Sequence, residues 1–301
     1  MNASTKLTRR AALRGVIGSG ALAAAGGAVA QFALPREGTV RDRLWIFCCA
    51  ANSDFPAIGC RSVMSPAEGA FFLGVPNIIM VQSSTKEAPY GRLEPPFAQY
   101  TVALRPLKRV VWSVVGSGGF NAPAETEEVL ALPKTTSNFA GVMLDDFFTG
   151  RADGKRAQLT VEELKSIRQR LKQCNPKFDI LATFYVKHFT LPLQDYLGMI
   201  DVLTLWNGDS ADLVNLEAHF AKVEQVAPKA RKMLGCYVVD YKRKTGVPVD
   251  LMRHQCETGL RWLREGKIEG IIFLGNTTMD LGFDSVEWTR QWVAKVGDQK
   301  L

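Results

Sequence analysis

The sequence is poor in the residues and patterns that mark several common classes of protein. Only three of its 301 residues are histidine, and its six cysteines include no C-x-x-C pair. The cysteine spacing therefore argues against a thioredoxin-like redox site or a zinc ribbon. A glycine-rich turn at residues 116–119 follows an apolar run but lacks the full G-x-G-x-x-G spacing, so it does not predict a dinucleotide-binding fold.

The chain also lacks a basic stripe of the kind that binds nucleic acid, although its formal net charge is +7. Four positive charges lie before residue 31, at Lys6, Arg9, Arg10 and Arg14, and +3 remains without them. The basic character therefore belongs mainly to the N-terminal segment. We expect no nucleic-acid partner.

Those N-terminal charges lie in a segment that matches the pattern of an export signal. Residues 8–14 carry a twin-arginine pattern, and the Gly/Ala-rich run at 15–30 ends in an A-x-A cleavage motif. The run has about 16 residues, fewer than the roughly 20 that a membrane-spanning helix needs. We expect a cleaved Tat-type signal peptide at 1–30, a connector at 31–42, and export by the Tat machinery to the periplasm or beyond. No later run predicts a membrane span.

From residue 43 onward, apolar runs alternate with amphipathic segments. Eight runs are predicted to be strands, at 43–50, 77–82, 109–115, 139–144, 178–186, 201–206, 232–239 and 270–274. Helices are predicted between them, for example where Ser65 and Glu68 form a capping box and across 249–265. Continuously apolar strands are typical of a parallel sheet covered on both faces. We therefore expect residues 43–301 to form a single (β/α)8 TIM barrel of the α/β class.

The fourth predicted strand ends in an unusual sequence, Leu144-Asp145-Asp146-Phe147-Phe148. Two adjacent carboxylates repel each other, and TIM barrels place their active sites at the C-terminal ends of the strands. Adjacent strand residues point to opposite faces, so only one of Asp145 and Asp146 should follow the inner face of the barrel. The sequence does not show which one, because residues 142–144 are all apolar.

Polar and aromatic residues also follow the other predicted strands. Carboxylates and amides bind sugar hydroxyls, and flat rings cover the apolar face of a pyranose. We predict that hydrolysis of a glycosidic bond is catalysed by Asp145, Asp146 and Asp240. Asp240 would be the nucleophile, or the base that activates water. We predict that substrate is bound by Asn52, Gln82, Tyr185, His188, Trp206, Asn207, Tyr241 and Asn276.

Three segments resemble the strand ends of glycoside-hydrolase-like TIM barrels, namely residues 144–147, 204–207 and 237–241. The resemblance implies an oligo- or polysaccharide substrate and acid/base catalysis by carboxylates at the C-terminal mouth, without a cofactor. The largest retaining clan uses glutamates after strands four and seven, whereas no glutamate ends a predicted strand here. Aspartate-based barrels are therefore the closer analogy.

Two other functions are compatible with the same residues. One is a metal-dependent sugar isomerase, epimerase or lyase, in which Asp145, Asp146, His188 and Asp240 would supply oxygen and imidazole ligands. The sequence offers fewer strand-end glutamates and histidines than such a site commonly uses. The other is a carbohydrate-binding barrel without catalytic activity.

Overall fold

The computed structural model describes residues 38–55, 59–83, 92–150 and 154–301. Within these ranges, eight parallel strands close into a barrel in which each strand pairs with the next and the last pairs with the first. The predicted single (β/α)8 TIM barrel is confirmed. The signal peptide predicted at 1–30 lies outside the described residues, as does most of the connector predicted at 31–42.

The barrel strands coincide with the eight predicted apolar runs. They are β1 (Leu44–Cys48), β2 (Asn77–Met80), β3 (Arg109–Val115), β4 (Phe139–Leu144), β5 (Asp179–Tyr185), β6 (Val202–Trp206), β7 (Arg231–Cys236) and β8 (Ile271–Leu274). Several boundaries differ from the prediction by one or two residues, and the largest difference is at β7, which ends at Cys236. The next residues form a separate antiparallel ribbon, in which Val239–Asp240 pairs with Thr245–Gly246.

Helices connect the strands in the order that the sequence predicts. Those in the described residues are α1 (Pro66–Leu73), α2 (Tyr100–Leu104), α3 (Pro123–Ala131), α4 (Val161–Cys174), α5 (Gln194–Leu197), α6 (Leu216–Val226), α7 (Val249–Glu265), α8 (Asn276–Met279) and α9 (Asp284–Val296). Ser65 caps α1 with Glu68 as expected. None of the helices described here has the length and apolar character to cross a membrane.

Alternate strand residues divide the core into two layers. The inner layer fills the barrel and consists of Trp45, Phe47, Ile79, Val81, Val111, Met143, Leu181, Val202, Trp206, Met233 and Ile272. On β4, Met143 belongs to this layer, whereas Val142 and Leu144 pack in the outer layer between strands and helices. Strand alternation therefore places Asp145 in line with Met143, toward the barrel interior.

Charged groups close the N-terminal end of the barrel. Arg231 at the start of β7 forms ion pairs with Asp179 of β5 at 2.5 Å and with Glu269 at 3.0 Å. Arg109 of β3 lies 4.5 Å from the ring of Trp45, a cation–π contact inside the barrel. In TIM barrels this end serves stability, and chemistry occurs at the opposite mouth.

Candidate active site

Asp145 lies just beyond the C-terminal end of β4 and is only 4% exposed. Its amide donates to the Val115 carbonyl at 2.8 Å, which extends the pairing of β4 with β3 by one residue. The Thr183 side chain and the Asp146 backbone lie near its carboxyl and act to lower its pKa. Burial and then the charge of Asp146 raise the pKa of Asp145 well above its ordinary value of 3.8. Asp145 therefore keeps its proton at pH values where an exposed aspartate has lost it.

Asp146 leaves the strand in the left-handed backbone region, with φ of 43°. Residues other than glycine adopt this region infrequently, and such residues are concentrated at functional sites. One oxygen of Asp146 accepts from the Tyr185 hydroxyl at 2.8 Å, and the other accepts from the Gly118 amide at 2.9 Å. The Asp146 amide donates to the Thr183 hydroxyl at 2.9 Å. The turn at Asp146 thus breaks the strand alternation and keeps both aspartates in contact with β5.

Tyr185 connects the aspartate pair to the aromatic side of the barrel mouth. Burial raises the pKa of Tyr185 well above its ordinary value, and Tyr237 and both aspartates raise it further. Tyr185 therefore remains a protonated hydroxyl that donates to Asp146. The substrate contact predicted for Tyr185 remains a prediction, and the structure adds its bond to Asp146.

Cys49 reaches the aspartate pair from β1, although the sequence did not single it out. Burial and the charge of Asp145 raise the pKa of the Cys49 thiol to about 12. The thiol is therefore neutral beside Asp145. The backbone of Cys49 is held on both sides by Asn276, whose amide group accepts from Cys49 N–H at 2.9 Å and donates to Cys49 C=O at 2.9 Å.

Asn276 itself is fully buried and also donates to the Met64 carbonyl at 2.7 Å. Its three hydrogen bonds fasten the segment after β8 to the loop after β1. Asn276 therefore stabilises the loops at the mouth of the barrel. The substrate contact predicted for it would require those bonds to be exchanged.

His188 is 2% exposed and lies in the turn after β5. Its Nδ1 accepts from the Tyr185 amide at 3.2 Å, which assigns the ring proton to Nε2. Burial and then the charge of Lys187 lower the pKa of His188 to about 4, against the opposite effect of Asp146. His188 is thus a neutral ring that packs against Phe184 at 5.4 Å and supports the end of β5.

Trp206 does not present an open stacking surface, contrary to the sequence-based expectation. It is 2% exposed, and its indole N–H donates to the Thr204 hydroxyl at 2.8 Å. Its ring lies so close to Gly235 of β7 that a Cβ there would clash with it. Tyr237 packs on it with ring centroids 5.0 Å apart. Trp206 is therefore covered by Tyr237, which is itself half-buried.

The other predicted sugar ligands occupy different surroundings. Asn207 is nearly buried and organises the loop after β6, where it donates to Asp212 at 3.0 Å. Gln82 is 2% exposed, and its backbone amide donates to the Ser113 hydroxyl at 2.9 Å. Asn52 is exposed, with a φ of 59°. Tyr241 is half-buried after β7. Their contacts with a substrate remain predictions.

Asp240 requires the largest correction. It is fully buried in the short ribbon beyond β7, where its carboxylate accepts from the Arg243 amide at 2.8 Å, the Arg243 guanidinium at 2.6 Å and the Ser210 amide at 3.1 Å. The Ser210 hydroxyl also donates to it. Burial alone would raise the pKa of Asp240, but these hydrogen bonds outweigh burial and lower it to about 2. The carboxylate predicted to act as nucleophile or base is thus enclosed by partners.

Sequence reasoning missed three groups that lie near Asp145 or Tyr185: Thr183, Cys49 and Tyr237. Thr183 follows the inner residue Leu181 by two positions, and Tyr237 follows the inner residue Met233 by four. Once the inner-facing residues of each strand are known, strand alternation identifies both. Cys49 follows Phe47 by the same rule. Within the described ranges, no group of three or more His, Cys, Asp or Glu residues is placed to hold a metal ion.

No protein-family model and no curated protein matches the sequence. Solved structures match its fold. A candidate α-L-fucosidase of Bacteroides thetaiotaomicron is 10% identical, with a TM-score of 0.53 over 86% of this chain and 96% of its own. Active domain 2 of a thermostable chitinase of Pyrococcus furiosus, solved with chito-oligosaccharides, is 12% identical, with a TM-score of 0.50 over 79% of this chain and 85% of its own.

A xylanase–amylase inhibitor protein is 10% identical, with a TM-score of 0.52 over 85% of this chain and 98% of its own. At such identities, these likenesses establish a glycoside-hydrolase-like TIM-barrel fold. The three proteins include an inhibitor beside a chitinase, so the fold alone does not decide between catalysis and binding.

Proposed function

We propose that the protein hydrolyses glycosidic bonds at the C-terminal mouth of its barrel, with Asp145 and Asp146 as the reacting carboxyl groups. The observation that carries this proposal is the unequal environment of the two aspartates. Asp145 is buried and its pKa is raised well above the ordinary value, whereas Asp146 is fixed by donors from Tyr185 and Gly118. Two carboxyl groups in different environments are what acid-assisted glycoside cleavage requires.

In this mechanism Asp145 is the general acid. It donates its proton to the glycosidic oxygen as the bond from that oxygen to the anomeric carbon breaks. The Asp146 carboxylate stabilises the positive charge that develops on the sugar ring, because Tyr185 and Gly118 hold its oxygens in place beforehand. Water then adds to the anomeric carbon, and its proton passes to Asp145, which restores the acid. Asp240 takes no part, because its oxygens are bound to Arg243 and Ser210.

Leaving-group dependence tests the two roles. Asp145→Asn should lower turnover of unactivated glycosides by about 10²- to 10⁴-fold, the usual contribution of general acid catalysis. The loss should be much smaller for 4-nitrophenyl glycosides, because nitrophenolate leaves without protonation. Asp146→Asn should lower both rates alike, since charge stabilisation acts on the sugar ring. The assays are release of reducing ends from a polysaccharide panel and release of 4-nitrophenol, with Asp298→Asn as a distant control.

Full turnover by Asp145→Asn on unactivated substrates would refute the catalytic assignment. Saturable sugar binding without turnover of any substrate would instead identify a carbohydrate-binding barrel without activity. That alternative has one observation in its favour, the shared fold with an inhibitor protein.

Export to the periplasm or beyond is a further part of the proposal, supported by the twin-arginine pattern at residues 8–14. Replacing both Arg9 and Arg10 with lysine should retain the protein in the cytoplasm of a bacterial host. Cell fractionation with immunoblotting measures this. Unchanged export of the double variant would contradict a Tat route.

A further inference from the structure

Three aromatic side chains of β6 and the segment after β7 are in contact with one another at the C-terminal end of the barrel. The ring of Tyr237 lies 5.0 Å from Trp206 and 5.2 Å from Tyr241, measured between centroids. Trp206 is covered, whereas both tyrosines are half-buried. The planes of the two tyrosine rings meet at 82°, so together they form a corner with Trp206 as its base.

The backbone that carries this corner is anchored at successive positions. The Tyr237 carbonyl accepts from the Gln255 side-chain amide of α7 at 2.9 Å. The carbonyl of Val238 accepts from the Ser285 hydroxyl of α9 at 2.8 Å and from the Val247 amide at 3.0 Å. Bonds from two helices and from the ribbon therefore hold the segment in one conformation, which reduces the entropy lost when a ligand binds.

Asp240 extends the same anchoring to Tyr241, its neighbour in the chain. Its carboxylate joins the Arg243 guanidinium at 2.6 Å to the Ser210 amide at 3.1 Å, and Arg243 also binds Asp209 at 2.8 Å. The loop after β6 and the ribbon after β7 are thus tied together on either side of the aromatic corner. Asp240 thus holds in place the backbone that leads into Tyr241.

We propose that Tyr237 and Tyr241 form a sugar-binding subsite next to the Asp145–Asp146 pair, so that the substrate is an oligosaccharide chain, and that Asp240 is a positioning residue of this subsite. The choice of a carbohydrate ligand rests on the proposed function. A pyranose can place its apolar face on one ring and its edge against the other.

Tyr185 connects the aromatic corner with the reacting groups. Tyr185 and Tyr237 both pack against the inner layer of the barrel, and Tyr185 donates to Asp146 at 2.8 Å. Tyr237 also contributes to the raised pKa of Tyr185. These shared surroundings support placing the subsite next to the aspartates.

Binding measured without catalysis tests the subsite. The Asp145→Asn protein is titrated with cellotriose, xylotriose, maltotriose and N,N′,N″-triacetylchitotriose, and with the corresponding monosaccharides, while tryptophan fluorescence is recorded. Trp206 lies beneath Tyr237 and reports occupancy, and Trp206→Phe identifies its share of the signal. We expect at least one trisaccharide to bind tenfold or more tightly than its monosaccharide.

In the same background, Tyr237→Ala and Tyr241→Ala should each lower the affinity for that trisaccharide by about tenfold. Tyr100→Ala, on α2 and remote from β7, is the matched control and should leave it unchanged. Asp240→Asn should weaken trisaccharide binding while monosaccharide affinity stays constant, at a temperature where circular dichroism shows the variant to be folded. A merely structural role for Asp240 would not produce that split.

The subsite is refuted if no trisaccharide binds more tightly than its monosaccharide, or if the tyrosine variants bind it as well as their parent. The two measurements, hydrolysis and binding, distinguish a wrong subsite from a wrong proposed function. If Asp145→Asn abolishes hydrolysis while the tyrosine variants bind normally, only the subsite is wrong. If Asp145→Asn hydrolyses normally while the trisaccharide preference depends on Tyr241, only the catalytic assignment is wrong.

Discussion

Replacing Asp240 with asparagine separates a structural carboxylate from a catalytic one. The carboxylate is fully buried, and its hydrogen bonds lower its pKa from 3.8 to about 2. At 1.36 kcal/mol per pKa unit, the difference of about 1.8 units corresponds to about 2.4 kcal/mol of folding stability at neutral pH. Its partner Arg243 is 44% exposed, so solvent screens part of the attraction. We therefore expect Asp240→Asn to lose about 1–2 kcal/mol.

A loss of that size lowers the melting temperature of a barrel this long by about 2–8 °C. The direction in which this stabilisation changes with pH follows from the lowered pKa of Asp240. The folded protein holds Asp240 ionised at pH values where the unfolded chain begins to protonate it, so the stabilisation is complete above pH 4 and disappears as pH falls toward about 2. The difference between Asp240→Asn and the parent protein should thus be constant between pH 5 and pH 8 and should shrink below pH 4.

Urea denaturation followed by circular dichroism at pH 7, 5 and 3.5 measures this difference. Asp298→Asn is the matched control, because its carboxylate is 84% exposed although it pairs with Arg41 at 3.0 Å. We expect no measurable change in that variant. Asp240→Asn with unchanged stability at pH 7 and abolished turnover on short and long substrates alike would refute the structural role and restore Asp240 as a catalytic residue.

Three further outcomes follow from the same geometry. Asp145→Asn should be more stable than the parent at pH 7, because a carboxyl with a raised pKa contributes stability below pH 3.8 that is lost as pH rises. Urea denaturation at pH 4 and pH 7 measures this gain in stability, which is opposite in sign to the loss expected for Asp240→Asn. Tyr185→Phe removes one of the two donors to Asp146 and should lower kcat/KM by about 10- to 100-fold with little change in melting temperature, as expected for a hydrogen bond to a charged group. Gly235→Ala should destabilise the barrel by about 1–3 kcal/mol in thermal unfolding, because its methyl group meets the Trp206 ring.

The fold was predictable because parallel strands covered on both faces leave a strong sequence signal. Apolar runs without alternation identified all eight strands, and the capping box of Ser65 and Glu68 identified the start of α1. The error at the end of β7 has a physical cause. Tyr237 and Val238 continue the apolar run, but their carbonyls bond to Gln255 and Ser285, which lie far along the chain and end the strand.

The candidate site was predictable only in part, since burial depends on which residues cover a side chain. The sequence shows Trp206 at a strand end, but it does not show that Tyr237, 31 positions later, packs on its face. It shows Asp240 after an apolar run, but not that Arg243 and Ser210 enclose it. In both cases a local pattern predicted an accessible group, and a contact formed by the tertiary fold determined the outcome.

The sequence correctly predicted that Asp145 and Asp146 follow the fourth strand. It did not predict where their side chains point, because that depends on the backbone conformation of Asp146. Strand alternation alone would direct Asp145 inward and Asp146 outward, which would separate their side chains. A φ of 43° at Asp146 reverses that expectation, and Tyr185 and Gly118 fix the redirected carboxylate. Alternation thus buries one carboxyl beside Cys49 and Thr183, while the turn exposes the next one to donors from β5 and the loop after β3. Two identical side chains, adjacent in sequence, acquire different surroundings because one follows the strand and the other leaves it.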